Sequence, residues 1–380
     1  MDDTNNQALE LHRKHCGKLE VRSKVPLQNR HDLSLAYTPG VAKVCEEIAR
    51  DKNLAKVYTI KKNTVAVITD GSAVLGLGNL GALGALPVME GKCALLKEFA
   101  GVDAFPICLD TQDTEEIIKT IKNIAPVFGG INLEDISAPR CFEIERRLKQ
   151  ELDIPVMHDD QHGTAVVVLA GLINSLKLKN LSKEQARVVM NGAGAAGTAI
   201  AKFLIFYGFK NIVVCDRAGA IYKGRAELSQ EKKELAEITN ESLFQGSMGE
   251  CLVGADIFIG VSARDVLTEV MVKQMNPKPI IFALSNPYPE IDPKLAKQAG
   301  AYIIATGRSD VPNQVNNVLA FPGIFRGALD NNVRELDTAI LIKVAENLAG
   351  YVKSPSPEFI LPDPLDKEVA KVVASVFKSQ

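Results

Sequence analysis

The stretch RVVMNGAGAAGTAIAKFLIFYGFKNIVVCD, residues 187–216, decides the fold. RVVMN is a short, nearly continuous apolar run, the pattern of a strand covered on both faces. It leads without a spacer into Gly192, Gly194, Ala195, Ala196 and Gly197, which carry the spacing G-x-G-x-x-G. Ala195 to Tyr207 then reads as a helix stopped by Gly208, NIVVC as the next strand, and Asp216 as the acid that ends it. Strand, glycine turn, helix and strand-ending acid form the unit that seats a dinucleotide, with the pyrophosphate on the helix N-terminus and the acid on the ribose. An acid at 216 favours NAD, because it repels a 2′-phosphate; Arg217 beside it could receive one and so leaves NADP open. A glycine turn without a ligand is the bland alternative.

A second glycine set, Gly76, Gly78 and Gly81 in LGLGNLGALG (75–84), has the same spacing but not the context. Its strand ends near Thr69, a loop containing Asp70 and Gly71 intervenes, and no strand-ending acid follows at the right distance. These glycines instead let a backbone approach another group closely. An ordinary loop or tight helix packing would also account for them.

Outward from residue 187, a long apolar helix at about 161–177 precedes the strands RVVMN, NIVVC, DIFIG, PIIFAL and AYIIA, spaced as in a doubly wound nucleotide domain. Upstream, TVAVIT (64–69), AFPICL (104–109), FGGINL (128–133) and IPVMH (154–158) read as buried strands. Asp113 and Glu116 read as a capping box before a helix with Ile117, Ile118, Ile121 and Ile124 on one face. The expected class is α/β in two domains, residues 1–159 and 160–345, the second a Rossmann-like parallel sheet. Residues 346–380 are expected to pack back as a helical segment. There Pro364 stands at the first helical position behind an Asp cap, and Val369, Val372, Val373 and Val376 form one stripe. A partner-binding helix is the alternative for that stripe.

Composition narrows the function. The chain has 380 residues, 46% hydrophobic and 24% charged, enough for two or three cores. A net charge of −2 gives no footprint for nucleic acid. The longest apolar run, TAVVVLAGLI at 164–173, is too short to cross a membrane. Seven scattered cysteines without C-x-x-C or zinc spacing, and no secretory signal at Met1–Glu10, point to reduced thiols and a cytoplasmic protein. Cys93, next to Lys92, reads as a packed thiol.

In open α/β sheets ligands gather beyond the carboxyl ends of strands. Acids stand at several such ends: Asp70, Asp110, Glu134-Asp135 and Asp159-Asp160. Adjacent carboxylates repel unless a cation or a proton intervenes. Oxygen ligands from two strand ends suit Mg²⁺ or Mn²⁺. His158 and His162 raise the alternative of zinc, which the excess of carboxylates disfavours. Solvated loop acids are the bland alternative.

Taken in order, LAYTPGVA (35–42), DGSAVLGLGNLG (70–81), MEGK (89–92), NLEDI (132–136), HDDQHGTA (158–165), NGAGAAG (191–197), LSNP (284–287) and NQVNNVLAFPG (313–323) resemble the malic enzymes in their short bacterial form. The resemblance runs from about residue 12 to 345. It implies oxidative decarboxylation of L-malate to pyruvate and CO₂, with NAD or NADP as acceptor and Mg²⁺ or Mn²⁺ bound. It further implies Tyr37 as general acid, Lys92 as general base and Asp159 as its neighbour in proton transfer. Glu134, Asp135 and Asp160 match the metal ligands. Asn286 and Asn317 match substrate contacts, with the Gly76–Gly78 loop as the substrate loop, and Asn316 matches a contact near the nicotinamide. A lysine acts as a base only if its pKa is lowered, which a nearby cation favours. Ala73 stands where large eukaryotic members carry an Arg that clamps a malate carboxylate. A homodimer is implied by the resemblance alone. A malolactic enzyme, releasing lactate and retaining NAD, uses the same parts, and a dinucleotide-binding regulatory protein without chemistry is the non-enzymatic alternative.

Overall fold

The computed structural model describes residues 2–379 and builds them around two sheets. The first holds β1 (Thr64–Thr69), β2 (Asp103–Cys108), β3 (Gly130–Leu133) and β4 (Val156–His158) in the order β2-β1-β3-β4, all parallel. Every residue of β1 is buried, which is why it reads as an uninterrupted run. The strand order reverses between β1 and β3, so a crevice opens beyond their carboxyl ends.

The second sheet holds β5 (Arg187–Asn191), β6 (Asn211–Asp216), β7 (Gly219–Ala220), β8 (Ile257–Gly260), β9 (Ile280–Ala283) and β10 (Ile303–Thr306). Its order is β10-β9-β8-β5-β6-β7, parallel except for the β6–β7 pair. This is the doubly wound order, with its switch point between β5 and β8. The short β7 is not foreshadowed in the sequence, because two residues carry no alternation to detect.

A lysine-bearing helix, Gly81–Ala100, packs on β1 and β2. A junction helix, Asp159–Lys179, starts where β4 ends and runs into the second half, against helices Ala195–Tyr207 and Thr338–Tyr351. Val166 to Ala170 are all fully buried in it, so its sequence is apolar around the axis rather than on one stripe. The expected division between residues 159 and 160 falls on the first turn of this helix.

Two local expectations are corrected. Asp113 does cap helix Thr114–Ile124 by accepting from the Glu116 amide at 2.8 Å. The Glu116 carboxylate, however, turns to the Thr111 hydroxyl at 2.7 Å, so the box is half made. The closing helix begins at Glu368, not at Pro364. Asp363 closes a local turn onto the Leu365 amide, and Asp366 accepts from the Tyr351 hydroxyl at 2.7 Å, which holds the chain non-helical until Glu368. Val369 and Val373 are buried as expected, and the helix docks on helix Phe321–Asn331.

Candidate active site

Sheet geometry delivers the acids. β3 ends at Leu133 and passes at once to Glu134 and Asp135, while β4 ends at His158 beside Asp159 and Asp160. The two strands pair with Leu133 opposite His158, so both doublets emerge at the same edge. Ligand oxygens of Glu134, Asp135 and Asp160 lie within 4.8 Å of one another. The turn is tight: Asp135 has φ +53°, and its amide donates to the Asp160 carboxylate at 2.8 Å. Asn132 donates to the far oxygen of Glu134 at 2.9 Å and orients it.

Lys92 enters from the lysine helix. It is only 8% exposed, and its ammonium pairs with Glu134 at 3.0 Å and with Asp159. The ring of Phe321, at the start of helix Phe321–Asn331, lies 4.4 Å from Nζ. Burial alone would depress the Lys92 pKa. Asp159, Glu134 and Asp160 outweigh it and hold the ammonium above the usual lysine range. The protein atoms alone therefore make Lys92 a cation rather than a base.

The acids carry the opposite strain. Burial pushes Glu134 and Asp160 up, and repulsion adds to it, from Asp160 at Glu134 and from Asp159 at Asp160. Glu134, Asp135, Asp159 and Asp160 set four carboxylates against one ammonium. Such a surplus of hard oxygen donors fits a divalent cation of the Mg²⁺ or Mn²⁺ kind. Zinc is not favoured by the histidines. The His162 ring turns to Glu145 at 2.9 Å, and neither imidazole belongs to the close oxygen cluster.

Glu145 and Arg140, behind the acids, are not singled out by the sequence reading. Glu145, on helix Arg140–Glu151, accepts from the His158 amide at 3.0 Å, from His162 and from Lys149 at 2.9 Å. Asp70, 1% exposed, is held by Arg140 at 2.9 Å and by the Ser72 hydroxyl at 2.5 Å, so this strand-end acid anchors its own loop. Only the proximity of Arg140 to NLEDI in the sequence hints at this.

The Gly76 loop reaches across to the second half. A Cβ at Gly76 would stand 1.8 Å from the carbonyl oxygen of Asn286, so only glycine lets the two backbones meet. Asn317, in the turn Asn317–Leu319, lies beside the junction helix: its Cβ and the Asp159 carboxylate both bound the position of Gly163. The Asn316 side chain caps the same turn by accepting from the Val318 amide at 3.0 Å. Tyr37 is not brought into the acid cluster by this chain. It follows helix Arg30–Ala36, is 68% exposed, and its hydroxyl has no hydrogen-bond partner among the described residues.

The glycine turn at 192–197 joins β5 to helix Ala195–Tyr207 as the sequence pattern predicts. Gly192, Gly194 and Asp216 line a crevice of about 970 Å³, shared with Val261 and Ser262 beyond β8. Helix Ala195–Tyr207 has no side-chain cap, which leaves its first amides for an anion. Asp216 is not a bare charge, however. Its carboxylate accepts from Arg225 at 2.8 and 3.1 Å, from Lys232 at 2.6 Å and from the Ala218 amide at 3.0 Å. Burial works against this carboxylate, yet those donors hold it below the usual range. With two cations in contact, Asp216 loses much of the repulsion that would exclude a 2′-phosphate.

Fold and site together define a two-domain α/β, dinucleotide-binding protein with an acid cluster and a buried lysine in its first domain. Comparison with known proteins agrees. Residues 16–149 match the family model of the malic enzyme N-terminal domain, and residues 161–379 that of the malic enzyme NAD binding domain. A bifunctional malic/malolactic enzyme of Bacillus subtilis is 55% identical over 97% of this chain and 90% of its own length. An NAD-dependent malic enzyme of Geobacillus stearothermophilus is also 55% identical, over 94% of this chain and 75% of its own. The crystal structure of an NAD-dependent malic enzyme from Thermotoga maritima superposes with a TM-score of 0.95 at 51% identity, covering 98% of this chain and 99% of that one. The chain belongs to the malic enzyme family.

Proposed function

We propose that the protein oxidatively decarboxylates L-malate to pyruvate and CO₂, reducing NAD⁺ or NADP⁺, with a divalent ion held by Glu134, Asp135 and Asp160. The observation that carries this is the buried contact of Lys92 with Asp159 and Glu134 beside the three-acid cluster. When bound, Mg²⁺ or Mn²⁺ supplies charge that polarises the C2 oxygen and stabilises negative charge developing there. The same positive charge opposes the carboxylates that keep Lys92 protonated. Lys92 then takes the C2 hydroxyl proton as C2 gives its hydride to the nicotinamide, and Asp159 shares that proton. Asn286 and Asn317 orient the substrate, the Gly76 loop excludes water, and Tyr37 protonates the enol carbon after CO₂ leaves.

Because Arg225 and Lys232 offset Asp216, either dinucleotide is expected to serve. A homodimer fits the exposure of Tyr37. Helices Arg30–Ala36 and Val41–Arg50 bury none of their residues within one chain, and a second copy covering them would desolvate the tyrosine.

The test is turnover of malate with NAD⁺ and with NADP⁺, each with Mn²⁺ and with excess chelator. Free reduced dinucleotide and pyruvate are expected only with Mn²⁺. Full turnover in chelator would remove the divalent ion from the proposal. The malolactic reading is kept alive by the Bacillus subtilis relative's name. Lactate formed without release of NADH would establish it instead.

A further inference from the structure

Two cysteines that the proposed chemistry does not use sit on elements whose neighbouring residues, Asp216 and Met248, line the dinucleotide crevice. Cys215, near the end of β6, and Cys251, on helix Met248–Leu252, are both buried free thiols. The Cys215 thiol donates to the Cys251 sulfur at 3.6 Å. The pair is not sealed in the core. Cys251 lines a groove of about 770 Å³, with Arg187, Asn211 and Glu250, through which a small oxidant can arrive.

Cys215 is wired to the binding loop through its backbone. Its carbonyl accepts from the amide of Gly192, the first glycine of that loop, at 2.9 Å. It pairs with Ala220 in the β6–β7 hairpin, next to the pair of Asp216 with Gly219. The Ala220 amide in turn donates to Gly246 at 2.9 Å, just before Ser247 caps the Cys251 helix. Ser247 and Met248 themselves line the crevice. A disulfide needs its sulfurs at about 2.05 Å. Closing the 3.6 Å gap tethers the Cys251 helix to β6, and both carry groups that face the crevice.

We propose that Cys215 and Cys251 are a reversible oxidation site, converted to a disulfide by hydrogen peroxide, and that this cross-link loosens dinucleotide binding. The Cys251 thiolate attacks the peroxide oxygen, the O–O bond breaks, and a sulfenic acid and one water result. The Cys215 thiolate then attacks that sulfur and displaces hydroxide, which leaves as a second water after taking up a proton. The thiol pair loses two electrons and the peroxide gains them. Cys251 is the fitter nucleophile, because the hydrogen bond from Cys215 holds its thiol below the ordinary cysteine range.

The inference rests on the dinucleotide reading of the crevice. The experiment uses protein carrying Cys16→Ser and Cys45→Ser, which removes the two exposed thiols. Hydrogen peroxide, alkylation and digestion should give one peptide pair linked through Cys215 and Cys251, released by dithiothreitol. NADH binding, followed by its fluorescence, should weaken about fivefold or more, the lower end of typical coupling between sites, and recover on reduction. Cys215→Ala and Cys251→Ala in the same background should bind NADH as the reduced protein does and ignore peroxide. The inference is overturned if both thiols remain separately alkylated, or if the cross-linked protein binds NADH unchanged. Reduced protein that binds no NADH at all overturns the dinucleotide reading as well.

Discussion

At Lys92 the protein solves a charge problem that a lone lysine could not. Burial favours the neutral amine, the carboxylates favour the ammonium, and the balance of protein charge leaves it protonated. The base role proposed for it therefore depends on what the acids hold. Lys92→Ala should lower kcat for malate oxidation by about 10²–10⁴-fold, the usual share of one acid–base group. Tyr37→Phe should instead abolish exchange of pyruvate methyl protons with D₂O while oxaloacetate is still reduced by NADH. Exchange at the wild-type rate in Tyr37→Phe would remove the tyrosine from the chemistry. Glu145 gives a stability prediction of its own. Burial works against its carboxylate, but His162 and Lys149 outweigh burial and keep its pKa below the usual glutamate value. A depressed folded pKa means its contribution is complete above the unfolded value of about 4.3 and fades as pH falls through the folded one. Glu145→Gln should cost about 3 kcal/mol at pH 7, measured by urea unfolding, because it breaks a buried charged network. The gap from wild type should narrow on acidification below that value.

The junction helix is the element on which the site depends most. A Cβ at Gly163 would stand 1.9 Å from an Asp159 oxygen and 3.2 Å from the Asn317 Cβ, with Asp159 fully buried. Gly163→Ala must therefore displace Asp159 from Lys92. A misplacement of about 1 Å can cost about 10²-fold in rate, so kcat should fall by that order while NADH binding holds. A wild-type kcat would show that Asp159 has room to turn. Elements of this kind are legible in the sequence where periodicity and punctuation coincide. β5, the glycine loop, helix Ala195–Tyr207 and its Gly208 stop all follow from local pattern, and so do the acids at the ends of β3 and β4. What local pattern does not carry is pairing at a distance. Arg225 and Lys232 reach Asp216 from a later loop and helix, and Phe321 reaches Lys92 from 229 positions away in a motif legible only by resemblance. The start of the closing helix is misread because Pro364 behind an aspartate satisfies a helix rule, while the Tyr351 hydroxyl engages Asp366 from another helix.

For the molecule as a whole, the N-terminal helices are the unfinished part. Leu33, Leu35 and Tyr37 are 52%, 65% and 68% exposed, a concentration of apolar surface that a monomer rarely leaves open. Light scattering after size exclusion should give twice the mass of one chain, 41.1 kDa. Leu33→Glu with Leu35→Glu should shift it to the monomer and lose the Tyr37-dependent proton exchange together. A monomeric wild type with full exchange would show that Tyr37 reaches the site within one chain. The junction helix sets a further condition, on how this protein can be recombined. Asp159 and Asp160 serve the first half, yet they form the first turn of a helix whose body is core to the second. The halves are consequently not interchangeable modules. A chimera spliced between β4 and this helix would give Lys92 an acid from one parent and Glu134 from the other, set at whatever angle the foreign helix dictates. Splices placed beyond Lys179 keep Lys92 and its acids of one origin, and malate turnover should survive only in those.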